Sequence, residues 1–200
     1  MAKTVVKGHA NAYYFQYPAL ATIVTVHSGN KDNAISIAWH MTVSREPPYY
    51  AISVAPARHS HRMILEAGEF VVNFVPFEEH SVVAGIGGCS GADTDKVRVF
   101  GLKGRPGSEV DALVLDMAYA AYECRLVGRH TYGDHDVFIG EIVAFHYDPD
   151  VVSPSGVVDV MRVHPNVYMG EDRYTRPVPE APILLGRGAA ARAARAKARE

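Results

Sequence analysis

The residues best suited to chemistry in this sequence lie at the ends of predicted strands. Trp39, the single tryptophan, shares a predicted strand with Ser36. Arg58 and Ser60 follow directly after the next strand, at the start of a predicted helix. An arginine and a hydroxyl beside the first N–H groups of a helix suit a phosphate, and an indole packs well against an apolar ring. These residue types predict a site for a planar anionic ligand, although spacing alone favours Trp39 as a core residue and Ser60 as a helix cap.

The ten histidines of the sequence raise the alternative of a metal site. Two dense clusters contain His59 with His61, and His130 with Asp134, His135 and Asp136. His59 and His61 share one face only in an extended segment, whereas their segment is predicted to turn into a helix. A metal-dependent hydrolase is therefore an alternative to surface or hydrogen-bonded histidines.

Several common nucleotide-binding, hydrolase and zinc-binding motifs are incomplete or absent in the sequence. Residues 85–90 begin like a dinucleotide-binding fingerprint, but Ser90 stands at its sixth position and the flanks do not form a βαβ unit. A G-x-x-x-x-G-K-S/T phosphate loop and a G-x-S-x-G elbow are both absent from the sequence. Cys89 and Cys124 form no C-x-x-C pair, which predicts reduced thiols and no structural zinc. The sequence excludes the Rossmann, nucleoside-triphosphate and α/β-hydrolase classes.

The predicted scaffold is mainly β with short helices. Alternating or β-branched runs predict strands at residues 21–27, 34–40, 49–54, 69–75, 119–129 and 136–147. Helices are expected from Ser60 to Gly68, over residues 78–85, and from an Asp93 cap to Phe100. Strands joined by short turns must be antiparallel, so these elements predict a closed or partly closed β-barrel. Residues 103–116 are expected to be mostly loop, and residues 157–179 an irregular extension over the barrel.

Composition and charge limit the remaining classes. The chain has 200 residues, of which 48% are hydrophobic and 21% charged, which excludes disordered and collagen-like proteins. We expect one domain over residues 1–180 and a basic, helical, solvated tail over residues 181–200. The net charge of −2 divides into +4 on residues 187–200 and −6 elsewhere, which gives nucleic-acid binding no support. No apolar run approaches the roughly 20 residues of a membrane span and no secretory core is visible, so a cytoplasmic protein is expected.

Six motifs in order resemble one family, over roughly residues 15–175. They are NAISIAW at 33–39, Pro47-Pro48, Arg58-His59-Ser60, GEFVVN at 68–73, SGADTDK at 90–96 with Gly101-Leu102, and Gly133-Asp134-His135 with IGEIV at 139–143. This order resembles the flavin reductase-like proteins of the FMN-binding split barrel, flavoredoxin among them. The resemblance implies an antiparallel, Greek-key-like split β-barrel with a C-terminal extension. It also implies a homodimer with FMN near the subunit interface.

The resemblance also assigns site residues. Asn33, Ser36 and Trp39 would line the flavin, and Arg58 and Ser60 would meet its phosphate. The implied catalytic residues are Lys96 and His135, which would approach the cofactor and stabilise its reduced form. The other cofactor-binding positions implied are Tyr168, Ala38, His40, Ser53, Ala55 and His59. The sequence departs from the family where Ala92 replaces a frequent arginine, Val97 a frequent phenylalanine, and Ser36 and Ser60 frequent threonines.

The implied function is an NAD(P)H-dependent oxidoreductase that passes electrons through bound FMN to a flavin or protein acceptor. FMN supplies that chemistry because it accepts a hydride and releases electrons singly or in pairs. The alternative from another class is a non-enzymatic FMN-binding electron carrier, which a nicotinamide nucleotide does not reduce.

Overall fold

The computed structural model describes residues 3–5, 7–8 and 12–178, so the predicted tail at residues 181–200 lies outside the described residues. The strands are β1 (Ala19–Leu20), β2 (Thr22–Ser28), β3 (Lys31–Ile37), β4 (His40–Arg45), β5 (Pro48–Val54), β6 (Glu69–Phe74), β7 (Gly104–Pro106), β8 (Leu113–Leu115), β9 (Ala120–Tyr132), β10 (His135–Tyr147), β11 (Val167–Gly170) and β12 (Arg173–Thr175). The helices are α1 (His59–Ala67), α2 (His80–Gly87) and α3 (Lys96–Val99), with 3-10 turns at Ala12–Gln16 and Phe77–Glu79. Among the described residues, no helix is long and apolar enough to cross a membrane.

The main sheet has the strand order β3-β2-β6-β9-β10-β5-β4, and its paired strands are all antiparallel. The end strands β3 and β4 are not hydrogen-bonded to each other, so the sheet is not a closed barrel. The chain crosses from β5 through α1 to β6, on the other side of the β9–β10 hairpin, which is a Greek-key-like connection. The prediction of a mainly β, antiparallel fold is confirmed.

Buried side chains and tight turns explain this sheet. Phe70, Ile52 and Phe138 are fully buried and come from three different strands of the sheet. Gly140 lies where β10 passes Phe70 on β6, and a Cβ there would come within 2.8 Å of the Phe70 ring. Gly133 has φ of 62° at the β9–β10 turn, a conformation that glycine adopts without strain. The predicted hairpin is therefore present, with a sharp turn that presents its tip to solvent.

Two predicted helix caps are wrong. Helix α1 begins at His59 with Arg58 as its N-cap residue, whereas Ser60 lies inside the helix and its hydroxyl accepts a hydrogen bond from Asn33. Asp95, rather than Asp93, is the N-cap of α3, because its carboxylate accepts from Arg98 N. Ser60 is buried, and its hydroxyl bonds to the Asn33 side chain rather than capping the helix.

Several strands were not predicted. The predicted strand at 34–40 ends at Ile37, and His40 begins the separate strand β4. Residues 103–116 contain the β7–β8 pair rather than loop alone. The closing segment is more regular than expected, since β11 pairs with both β1 and β12 in a small sheet. These strands are short and pair with distant segments, so each contains too few residues to show the alternation that predicts a strand.

Candidate functional site

An open cleft of about 690 Å³ lies between the main sheet and the small sheet of β1, β11 and β12. The predicted site residues that line it are Ser36, Ala38, Trp39, Ser53, Ala55, Arg58, His135 and Tyr168. They come from the end of β3, the Trp39 connection, the end of β5 and the segment between β5 and α1, the start of β10, and β11. Ser53 N donates to Trp39 O at 2.9 Å, which fixes the connection that carries the indole.

The cleft has a nearly continuous aromatic wall. The rings of Trp39 and His135 lie 4.9 Å apart between centroids. Trp39 Nε1 donates to the Tyr17 hydroxyl at 2.9 Å, and the Tyr17 ring meets that of Tyr168 edge-on at 5.1 Å. Tyr174 extends the wall, 5.3 Å from Tyr168. Such a wall favours a flat, conjugated ligand.

Sequence reasoning did not assign Tyr17 and Tyr174 to the site. Tyr17 lies just before β1 and Tyr174 on β12, so both reach the cleft through the small sheet. The available signal was the clustering of tyrosines in these two otherwise irregular segments.

A smaller cavity of about 160 Å³ adjoins the cleft and shares Ser36, Arg58 and Gly87 with it. Among its other lining residues are the predicted site residues Ser60, His59 and Lys96. We call this cavity, at the start of α1, the anion pocket. Arg58 makes no side-chain cap hydrogen bond at the α1 N-terminus, and the His61 N–H already donates to Arg58 O at 3.0 Å. The N–H groups of His59 and Ser60 are therefore the ones that an anion could meet.

Lys96 brings a buried cation to the anion pocket. Its side chain is only 4% exposed and Nζ donates to Ile86 O at 2.8 Å, at the end of α2. Burial lowers the pKa of Lys96; Cys89 opposes that effect, and the nearby charge of Arg58 lowers the pKa further. Two neighbouring cations repel each other, so an anion placed between them relieves an unfavourable interaction.

Two of the predicted site residues, Asn33 and His40, line neither the cleft nor the anion pocket. The Asn33 amide is buried behind the anion pocket and donates to Ser60 Oγ at 2.8 Å, so it supports the pocket from behind. His40 does not line the cleft: it hydrogen-bonds the Tyr50 hydroxyl and Leu20 O, and burial lowers its pKa. The chain turns between Ile37 and His40, which breaks the alternation that placed His40 beside Ser36.

His135 is held at the mouth of the cleft by its neighbour. Its Nδ1 hydrogen-bonds Asp134 Oδ1 at 2.8 Å, and this bond lowers the pKa of Asp134. With a proton on Nδ1, Nε2 is an acceptor in the neutral ring and a donor in the protonated ring.

We expect Gly91→Ala to disturb the anion pocket. A Cβ at Gly91 would lie 2.3 Å from Asn33 Oδ1, and the buried Asn33 amide can move only by breaking its bond to Ser60. Overpacking of this kind costs about 1–3 kcal/mol of unfolding free energy. Thermal unfolding measures that loss. Gly88→Ala is the control, because its nearest contact beyond the neighbouring residues is 3.5 Å away. Equal effects of the two substitutions would contradict this packing argument.

The histidine clusters do not form a metal site in the part of the chain that the structure describes. No group of three or more His, Cys, Asp or Glu residues there could hold a metal ion. His61 instead pairs with Asp136 at 2.7 Å, inside the protein. The metal-dependent hydrolase alternative thus gains no support from the described residues.

An aromatic cleft that opens into a cationic pocket has the shape and charge to suit a ligand with a planar ring and an anionic group. Residues 14–175 match the model of the flavin reductase like domain, and the chain belongs to this family. The resemblance predicted from the motifs, to FMN-binding split-barrel flavin reductase-like proteins, is confirmed.

Three relatives illustrate the family. An FMN-binding protein of Thermus thermophilus, solved with bound 1-cyclohex-2-enone, is 29% identical with a TM-score of 0.83, over 92% of this chain and 100% of that one. An uncharacterized protein of Aeropyrum pernix is 31% identical over 81% of this chain, which spans only 61% of that relative's length. The NADH-dependent FMN reductase of Streptomyces nodosus subsp. asukaensis is 29% identical over 68% of this chain and 73% of its own length.

Proposed function

We propose that this protein is an NAD(P)H-dependent, flavin reductase-like oxidoreductase that binds FMN in the cleft. The observation that carries the proposal is the junction of the aromatic cleft with the anion pocket at Arg58 and Ser36. One ligand with a flat ring and a phosphate can occupy both cavities. The similarity to an FMN-binding protein and to an NADH-dependent FMN reductase supports the same ligand and electron donor.

The residues present fit FMN. Its ring would lie along Trp39 and His135, and its phosphate would meet Arg58, Lys96 and the α1 N-terminus. When bound, FMN supplies hydride and single-electron transfer. Ser60 places a hydroxyl at the anion pocket.

The chain's own residues would position the ring and tune its charge. Tyr17, Tyr168 and Tyr174 line one side of the cleft and would cover that side of a bound ring. His135 at the cleft can hold a proton near the ring, whereas the buried position of Lys96 favours contact with the phosphate. We therefore assign the electrostatic stabilisation of the reduced ring to His135 and the retention of the cofactor mainly to Lys96.

The proposal also includes a single domain over residues 1–180 and a cytoplasmic location, which rest on the length and composition of the sequence. A homodimer and a flavin or protein acceptor for the electrons rest on the family resemblance. Light scattering of the purified protein measures its molar mass in solution and so tests the dimer. A mass equal to that of one chain would contradict it.

The single tryptophan provides a direct test of the site. FMN added to the protein should quench Trp39 fluorescence, and flavin absorption bands should survive desalting. NADH or NADPH added under nitrogen should then bleach those bands. Retained bands that neither nucleotide bleaches would favour the non-enzymatic electron carrier. A protein whose Trp39 fluorescence is unaffected by FMN would contradict the proposed site.

A further inference from the structure

A buried histidine–aspartate pair lies behind the cleft. His61 Nε2 and Asp136 Oδ2 are 2.7 Å apart, with side chains 9% and 4% exposed. The His61 ring packs edge-on against Phe138 at 5.0 Å, and Arg129 Nε lies 3.7 Å from the same Asp136 oxygen. Neither residue lines the cleft or the anion pocket.

The pair joins the two elements that carry opposite ends of the site. His61 is in the first turn of α1, directly after Arg58 and Ser60 of the anion pocket. Asp136 follows His135 on β10, and the two side chains point to opposite faces of the strand. The bond therefore connects the start of the phosphate-binding helix to the strand that carries the ring-binding histidine.

Other contacts hold these two elements only loosely to each other. Helix α1 packs mainly on β2, with smaller contacts to β6 and β3. Asp136 is the last residue of β10 that pairs with β5, opposite Val54, and His135 lies one residue beyond that pairing, next to the hairpin tip. His135 pairs only with Tyr132 across the hairpin, so a directional bond at Asp136 adds to the sheet pairing a direct link between this end of β10 and α1.

We propose that His61 and Asp136 are positioning residues that hold the anion pocket and the aromatic cleft at a fixed separation. One FMN molecule can then place its phosphate in the pocket and its ring in the cleft. The inference rests on the proposed FMN site. Two half-sites bind a linked ligand better than its fragments only when their separation matches the linker. The two cavities already meet at Ser36, Arg58 and Gly87, and the pair adds a link that holds His135, on the far side of the cleft, at a fixed distance from the start of α1.

The test compares FMN with its two fragments, riboflavin and inorganic phosphate. The test variant is His61→Phe/Asp136→Leu, because replacing both members of a buried polar pair by apolar residues often preserves folding. We expect the preference for FMN over riboflavin to fall about tenfold, with riboflavin and phosphate affinities within about twofold of wild type. His61→Gln, which can still donate to Asp136, should retain most of the preference.

A matched control removes another His–Asp pair. His27 and Asp32 lie 2.9 Å apart on β2 and β3, with both side chains 33% exposed. His27→Phe/Asp32→Leu should leave the preference for FMN unchanged. If the buried double variant does not fold, Asp136→Asn takes its place. Its preference for FMN over riboflavin should fall about threefold, because the bond to His61 no longer involves a carboxylate.

The possible results separate this inference from the proposed function. An unchanged preference for FMN in the folded variants would overturn the positioning role. A parallel loss of FMN, riboflavin and phosphate binding would also overturn it, since that pattern indicates general damage to the fold. A wild-type protein that binds neither FMN nor riboflavin would instead refute the proposed function.

Discussion

Lys96→Met is expected to weaken FMN binding about 100-fold while riboflavin binding stays within about twofold, since a buried charge-assisted contact to phosphate contributes about 3 kcal/mol. Methionine preserves most of the volume of the buried side chain and removes only the ammonium group. Isothermal titration with both ligands measures the difference. Arg98→Met is the matched control on the same helix, because its side chain is 82% exposed and pairs with Asp95 outside the anion pocket.

The position of Lys96 also predicts a pH dependence. Burial and Arg58 lower its pKa, so in the free protein the ammonium loses its proton below the ordinary 10.5. FMN affinity should therefore fall as the pH rises toward that range, earlier than for an exposed lysine. Lys96→Arg keeps the charge at every pH of the experiment and should flatten the curve. Equal affinities of the methionine variant and wild type at neutral pH would contradict the role of Lys96.

Sequence reasoning selected residues that do line one cleft where they lie at or near the ends of strongly patterned strands. Trp39 and Arg58 follow runs whose alternation and turns are local, so the sequence alone places them at strand ends. The resemblance added His135 and Tyr168, which the cleft brings together with them. Because no ligand has been tested, their assignment to FMN stays a prediction.

The missed features depend on contacts between distant segments. Tyr17 and Tyr174 enter the cleft because β1, β11 and β12 pair, and strands of two to four residues carry almost no periodic signal. His40 was predicted to line the site but does not, because β3 ends at Ile37 and His40 begins the separate strand β4. The break between the strands interrupts the alternation of faces on which the prediction depended. Ser60 was predicted as a cap because sequence spacing does not show that Asn33 competes for its hydroxyl.

Another buried group with no local signal is Glu123, which has no exposed side-chain surface. Its carboxylate accepts hydrogen bonds from the backbone N–H groups of Ser108, Glu109 and Val110, from the Ser108 hydroxyl, and from His146. A Cβ at Gly107 would lie 2.5 Å from the same carboxylate. The segment before β8 is thus folded around one negative charge on β9.

Glu123→Gln should lower the free energy of unfolding by about 3 kcal/mol, because the amide cannot accept all of these bonds and its NH₂ group faces donors. For a domain of this size the melting temperature should drop by roughly 6–12 °C. Glu109→Gln is the control: its salt bridge to Arg125 is about half exposed, and its loss should cost less than about 1 kcal/mol.

The acid dependence of stability provides a second measurement of the Glu123 contacts. Burial alone would raise the pKa of Glu123, but the hydrogen bonds from His146, Ser108 and Glu109 lower it from 4.5 to about 2. Since the folded pKa is depressed, the stabilisation is complete above the unfolded value near 4.5 and disappears as the pH falls toward 2. The difference in unfolding free energy between wild type and Glu123→Gln should therefore shrink over this interval. A difference that stays constant from pH 6 to about pH 2 would show that the carboxylate charge does not hold this segment, since only a charged group loses its bonds on protonation.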